Sequence, residues 1–593
     1  MILSALVSYY EYLLKAGEIS PPGWSTSRIS WGLEIGERGE LLRVIPLKVT
    51  SSDGKKLLPC EMTLPAPVKR SANILPNFLW DNATYLLGLA CKGDPERASE
   101  CFHGAARFHK DLLSGIDAPE ARALLRYFET WSPEKAADNP LLAESMADLL
   151  AGRNLTFMYK NQFISECSSI RAAWQRHYDK PPKGEESICL VTGERAVPMR
   201  IHPSIKGVRG ANGTGANLVS FNADAFCSYG KTQNLNAPVS AYASFAYTCA
   251  LNYLLSDCNH TKIIGDTTVV YWSENATGAY QDVFSSLLYG GEDSSDDRLD
   301  SLMHSLCRGE YADYDGMTLD PNTTFYILGL SPNVSRLSVR FFYHNTFGDI
   351  LRNFERHYQD IEIVSDGRNK MPFIPFWLLL RETGNSKSKD KSPFPQLVSN
   401  LFSAAVNGTR YPETMFQQVM LRIHAERAIT RPKAAMIKGY LLRNTENSMD
   451  RNRIKEVCTL SLNPDSTYTP YVLGRLFSVL ETVQDMAIPG IKSGIRDKFG
   501  NSACATPASV FPTLLNKNIN HLRKLKEGTQ VYWRKQVGDL MNRLPEEFPA
   551  TLTLQEQGSF RLGYYHQAQK RYEKRKPANN DENMTELEEN KHV

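Results

Sequence analysis

The chain has 593 residues, 42% of them hydrophobic and 22% charged, with a formal net charge of +3. At about 150 residues per domain, that length favours three or four units over one, and the near-even charge balance confines any nucleic-acid surface to a local patch offset elsewhere. The 11 cysteines are odd in number and form no CxxC pair, which argues against a zinc ribbon and a complete disulfide framework and favours a reducing, cytoplasmic setting.

The opening run MILSALVSYYEYLLKAG spaces Ile2, Leu3, Leu6, Val7, Tyr10, Leu13 and Leu14 as one helix that Gly17 ends. It lacks a basic start and carries Glu11 and Lys15, unlike a signal peptide. No apolar run reaches the ~18 residues a membrane span needs. Ile29, Trp31, Leu33 and Ile35 alternate as in a half-buried strand, which residues 41–50 pair with across a turn at 37–40. Three prolines then break residues 64–80 into a loop presenting Lys69, Arg70, Asn73 and Asn77. Residues 96–150 read as helices and 155–178 as mixed strand and helix.

Residues 189–255 follow, gathering Gly207, Gly210, Gly213, Gly215 and Gly230 with Lys206, Arg209, Asn212, Lys231, Gln233, Asn234 and Asn236. Glycine lets backbone approach a ligand closely, and amides and cations then contact phosphates or base edges. A helix is expected to start near Pro238. Residues 267–272 (TTVVYW) read as a strand, and 325–330 with 336–342 as two strands around the turn Ser331-Pro-Asn-Val. Residues 291–300 form an acidic, solvated stretch, and 384–395 a polar linker.

Beyond about residue 400 the pattern is all-helical. Residues 471–487 place Val472, Leu473, Leu476, Phe477, Leu480 and Val483 on one face, with Thr469 and Pro470 as cap and first position. Residues 513–526 turn Leu515, Ile519, Leu522 and Leu525 inward and Lys517, Arg523, Lys524 and Lys526 outward. The last residues, 578–593, read as a disordered tail. The fold class expected is α+β, a mixed α/β N-terminal region followed by a C-terminal helical bundle.

The chemistry of catalysis finds little support. Residues 225–232 (AFCSYGKT) match a phosphate-binding P-loop loosely, but Asn234, Asn236 and Pro238 follow where a helix should hold the phosphates. The 12 histidines are dispersed, with no metal-ligand spacing, and no GxSxG elbow occurs. No catalytic residue, metal or cofactor is expected.

Four runs carry a specific likeness: PAPVKRSANILPNFLWDNATYLLG, CLVTGERAVPMRIHPSIKGVRGANGTGANLVSFNADAFCSYGKTQNLNAPVS, DTTVVYWSE and FYILGLSPNVSRLSVRFF. They resemble the large subunit of type I-C (Csd-type) CRISPR surveillance complexes, or Cascade, from the N-terminal helix to Tyr572. The resemblance implies a non-catalytic protein that joins a crRNA-bound backbone of Cas subunits. It would recognise the protospacer-adjacent motif (PAM) in duplex DNA, start unwinding, hold the R-loop and help recruit a helicase–nuclease. It further implies a region 1–400 with PAM-recognition loops, a connector 401–465, a small-subunit-like bundle 466–577 and a tail 578–593. Separate small-subunit copies can arise from an internal start, for which Met436, Met449 and Met486 are candidates. On this view Lys69, Arg70, Asn73, Asn77, Lys206, Arg209, Asn212, Lys231, Gln233 and Asn234 face PAM DNA, while Arg523, Lys524 and Lys526 line the displaced strand. An ATP-dependent nucleic-acid enzyme using residues 225–232 and a purely structural scaffold are the rival expectations.

Overall fold

The computed structural model describes residues 2–50, 57–68, 70, 74–90, 94–180, 184–289, 297–365, 374–385, 387, 393–445 and 450–572. Lys69, Asn73, most of the acidic stretch, half of the polar linker, Met449 and the tail 578–593 therefore lie outside the described residues. The chain divides into two compact units. One comprises Met1–Pro203 and Val219–Leu251, the other Ser204–Leu218 and Asn252–Val593.

In the first unit, the helix Ile2–Ala16 buries Leu6, Val7, Tyr10 and Leu13 and ends at Gly17, whose φ of +77° suits glycine. A sheet orders the strands Leu41–Pro46, Trp31–Ile35, Asn154–Tyr159 and Trp80–Asn82, the middle pair running parallel. Every residue of Trp31–Ile35 is buried, including Gly32 and Glu34, so the expected half-buried strand is in fact enclosed. Glu34 tolerates this by pairing with Arg43 and accepting the Asn161 N–H at 3.0 Å. The expected strand 41–50 is two: after Leu41–Pro46 the chain turns at Leu47, and Lys48–Thr50 joins Leu57–Pro65 in a second sheet with Trp24–Ile29. The helices Pro95–Leu113, Pro119–Thr130 and Ser168–Tyr178 bury Phe102, Leu124, Tyr127 and Trp174 in a core shared with Phe157.

The second unit holds a four-stranded antiparallel sheet ordered Thr261–Ile264, Thr267–Ser273, Thr324–Asn333 and Arg336–Thr346. Its last hairpin turns at Val334 and Ser335, not at Ser331-Pro-Asn-Val, because Asn333 still pairs with Arg336 and Pro332 with Leu337. Helices Gly278–Tyr289, Phe347–Ile361 and Pro395–Val406 contribute Phe284, Phe354 and Phe402 to a core with Phe325 and Phe341.

Among the described residues from Pro395 to Gln569 all regular structure is helical, as the fold class requires. The last five α-helices enclose their own core of Leu476, Phe477, Leu480, Phe511, Leu514, Leu540 and Phe560. Burying each such side chain stabilises by roughly 1.5–3 kcal/mol. The helix Thr469–Ala487 is buried without interruption from Pro470 to Gln484, so it is a central helix rather than a one-faced one, with Tyr468 at its cap. Its Gly474 lies against the helix Leu554–Gln569, where an added Cβ would sit 1.9 Å from the Phe560 carbonyl oxygen; Gly563 meets the Tyr471 carbonyl at 2.2 Å in the same way. The helix expected at 513–526 runs Pro507–Leu522, and Ile519, expected inside, is 49% exposed. No helix among the described residues is long and apolar enough to cross a membrane.

Candidate nucleic-acid interface

The first loop of interest lies between the strands Leu57–Pro65 and Trp80–Asn82 of the first unit. Its organiser is Asp81, which is buried. The Asp81 carboxylate receives both arms of the Arg70 guanidinium and the N–H groups of Asn77 and Asn82 at 2.9 and 2.8 Å. Burial pushes its acidity toward the neutral form, while Arg70 and the two N–H groups pull the other way. Arg70 also lies over the Tyr85 ring, 4.0 Å from its centre, and donates from Nε to the Leu75 carbonyl at 2.6 Å. Expected as a DNA contact, Arg70 is therefore spent on holding the loop. Asn77 is 5% exposed, and its Oδ1 accepts the Val68 N–H at 3.0 Å. It too shapes the loop instead of presenting an amide. Leu79 closes it in a left-handed conformation (φ +68°), its N–H donating to His109 Nε2 at 2.9 Å. His109 Nδ1, 2.8 Å from the Ala105 carbonyl, is then the protonated nitrogen.

The second loop of this unit precedes the helix Ala241–Ser256. That helix starts three residues later than Pro238 predicts. Ser240 begins it, taking the Ala243 N–H on its hydroxyl and the Ser244 N–H on its carbonyl. The Ser240 N–H in turn donates to the Cys189 sulfur at 3.3 Å. Burial opposes the Cys189 thiolate, but N–H groups of Ser240, Thr192 and Val191 and the Thr192 hydroxyl bring its pKa down to about 7.

Between these anchors, residues 228–233 form a tip, exposed from Ser228 to Thr232. Asn236 staples it: Oδ1 accepts the Ser228 N–H at 2.8 Å, and Nδ2 donates to the carbonyls of Lys231 at 3.2 Å and Gln233 at 2.9 Å. Arg200 braces it from the side, donating to Gln233 Oε1 and Thr232 Oγ1, both at 3.0 Å. Lys231 is exposed, whereas Asn234 is 2% exposed and turns away from solvent. A 3-10 turn, Gln233–Asn236, follows Thr232, and no α-helix begins before Ala241. The residues around Lys231 therefore lack the helix N-terminus on which a P-loop depends. Sequence reading missed Arg200 and the fully exposed Tyr229, whose only signal is an aromatic residue inside CSYGKT.

In the second unit, residues 204–218 form a separate loop. Ile205 and Ala216 exchange two backbone hydrogen bonds of 2.8 and 2.9 Å. Asn252 clamps the entry, accepting the Lys206 N–H at 2.8 Å and donating to the Ser204 carbonyl at 3.2 Å. Gly207 (φ +90°) and Gly215 (φ +96°) hold a backbone conformation that side chains rarely adopt, and at Gly215 there is also no room, since a Cβ would lie 2.7 Å from the Ile205 carbonyl oxygen. The Arg209 N–H is fixed to Thr268 Oγ1 at 3.1 Å, and Asn217 straps the exit to the strand Arg336–Thr346 through Ser335 and Leu337. The side chains of Lys206, Arg209 and Asn212 all point to solvent.

The third basic feature is the turn joining the helices Pro507–Leu522 and Glu527–Met541. Arg523 ends the first helix, Lys526 caps the second, and both are exposed with Lys524 between them. Burial, then Lys524 and Lys517, hold the neighbouring His521 below its ordinary pKa. Sequence reading missed the continuation along the second helix, where Arg534 and Lys535 are exposed and Tyr532 is 53% exposed.

Residues 6–572 match the family model described as CRISPR-associated protein (Cas_Csd1). The chain belongs to the Csd1 family. No curated protein matches it closely enough to add to that assignment. Csd1 proteins are the large subunit of type I-C CRISPR systems, so this chain works within a Cascade assembly of Cas proteins. In this Csd1 protein the basic loops and the basic helical turn are the surfaces to test for nucleic acid.

Proposed function

We propose that this Csd1 large subunit reads the PAM in double-stranded DNA, starts its local opening and stabilises the displaced strand, without catalysis of its own. It would act in the cytoplasm beside a crRNA-bound backbone and small-subunit copies, and help recruit the helicase–nuclease that degrades the target. Guide pairing would supply sequence specificity, leaving the protein a short duplex motif and the DNA shape to read.

What carries this reading is the stapled tip at residues 228–233 in a chain of this family. It offers an exposed cation, Lys231, held by the Asn236 staple, with the half-buried Gln233 amide beside it, its oxygen bonded to the Arg200 guanidinium. Cations hold phosphates, and an amide can hydrogen-bond a base edge. Opening a base-pair step costs a few kcal/mol, offset by such contacts and by guide pairing. Lys206, Arg209 and Asn212 would add contacts from their own braced loop, and Lys69 and Asn73 would add further ones. Arg523, Lys524 and Lys526 would track the displaced strand.

The test is to assemble the complex with and without this chain and measure its affinity for PAM and non-PAM duplexes. Tighter binding to PAM DNA, only with the chain present, is expected. Lys231→Ala should weaken all duplexes and reduce the salt slope by about 1 if Lys231 holds a phosphate, or relax PAM choice if it meets a base. Equal affinity for both duplexes would leave only the scaffold. Nucleotide hydrolysis abolished by Lys231→Ala would instead support the P-loop enzyme.

A further inference from the structure

The tip of the Lys231 loop exposes an aromatic ring that the DNA contacts named so far do not use. Tyr229 is 98% exposed, more than any other large apolar side chain among the described residues. Its φ is +54°, a left-handed conformation that a bulky side chain rarely adopts. Exposure and backbone conformation are both unfavourable, yet the backbone around the ring is closely tied. Ser228, just before it, gives its N–H to Asn236, and the Lys231 N–H returns to the Ser228 carbonyl at 3.0 Å. The Lys231 carbonyl is held by Asn236 Nδ2. Val334 shares both traits at a hairpin turn, so at Tyr229 they carry weight together with the cationic, polar setting of the tip.

From this we infer that Tyr229 is a stacking platform for an unpaired nucleobase. The inference rests on the DNA-binding reading above and names the residue that would hold the first opened base. An aromatic ring accepts any base, because every base has a π-face, so Tyr229 would stabilise opening without choosing sequence. Its surroundings fit nucleic acid better than protein. The tip carries Ser228, Gly230, Lys231, Thr232 and Gln233, with Arg200 behind it and no acidic residue from 225 to 236. An aromatic anchor for a protein partner sits within a ring of packed neighbours that excludes water, whereas this ring stands among polar groups. Next to it Gly230 leaves open space, with no atom within 4 Å of where its Cβ would be.

The test uses the assembled complex and DNA carrying 2-aminopurine beside the PAM, whose fluorescence falls when the base stacks. Two substrates are compared, an intact duplex and one already opened by a mismatched bubble. With the wild-type chain and with Tyr229→Phe, the probe in the bubble should be quenched on binding. With Tyr229→Ala the quenching should be lost and opening of the intact duplex slowed roughly tenfold, within the range expected for one base–aromatic stack. PAM preference should stay unchanged in both variants. Quenching in the bubble unaltered by Tyr229→Ala would overturn the stacking role. So would a Tyr229→Ala chain that folds but no longer joins the complex, which would make the tip a protein contact. A wild-type complex with no PAM preference would sink the PAM reading alone, since the bubble still reports stacking by itself.

Discussion

Arg70 and Lys231 are both cations in glycine- or proline-broken loops, and the structure gives them opposite work. Arg70 neutralises the buried Asp81, and Lys231 stands in solvent. Arg70→Ala should therefore destabilise the protein by about 3 kcal/mol, because it strands a buried carboxylate, while Lys231→Ala should change stability by less than about 0.5 kcal/mol. Chemical unfolding of the two variants separates them; equal stabilities would remove the structural role assigned to Arg70. The sequence shows both residues clearly, but it does not show the pairing, since Asp81 lies 11 positions away, beyond the end of the loop read at 64–80. The same limit applies to Asn77 and Asn234. An amide in a loop has the same letter whether it faces a ligand or closes a turn. Tyr229 escaped notice for the opposite reason, as an aromatic residue normally signals core.

Among the elements, the period of apolar residues located the first helix, the TTVVYW strand and the C-terminal helices. It misjudged burial where small or polar residues are enclosed as well, as with Gly32 and Glu34 in Trp31–Ile35 and Arg475, Glu481 and Gln484 in Thr469–Ala487. Turn chemistry failed at the hairpin of the second unit, because Pro332 and Asn333 look like a turn but remain paired, and the left-handed residue is Val334. The basic turn between Pro507–Leu522 and Glu527–Met541 was legible, because helix ends expose their side chains. If its three cations each hold one phosphate of a single strand, the triple variant Arg523→Ala, Lys524→Ala, Lys526→Ala should flatten the salt dependence of displaced-strand binding by about 2 in log–log slope. Titrating single-stranded DNA against the assembled complex at several salt concentrations measures this; an unchanged slope would exclude the turn from the strand's path.

At the scale of the whole molecule, acid should weaken both units. Burial holds His109 and His202 at about 4 in the first unit and His357 and His566 at about 3 in the second, where Arg443 assists at His357 and Lys438 and Arg475 at His566. In the unfolded chain each histidine titrates near 6.5. Because the unfolded chain takes up protons first, the stability these groups allow is complete above about pH 6.5 and is lost as pH falls toward 4 and then 3. Scanning calorimetry should show unfolding temperatures dropping from about pH 6.5 toward pH 3, as stability falls by up to about 1.4 kcal/mol per histidine per pH unit. A flat profile would mean that these imidazoles find compensation when charged. The division of the chain has a different consequence, for synthesis. The path passes from one unit to the other after Pro203, returns after Leu218 and leaves again after Leu251. A ribosome must therefore release a piece of the second unit before it can finish the first, and no single cut separates two complete folding units.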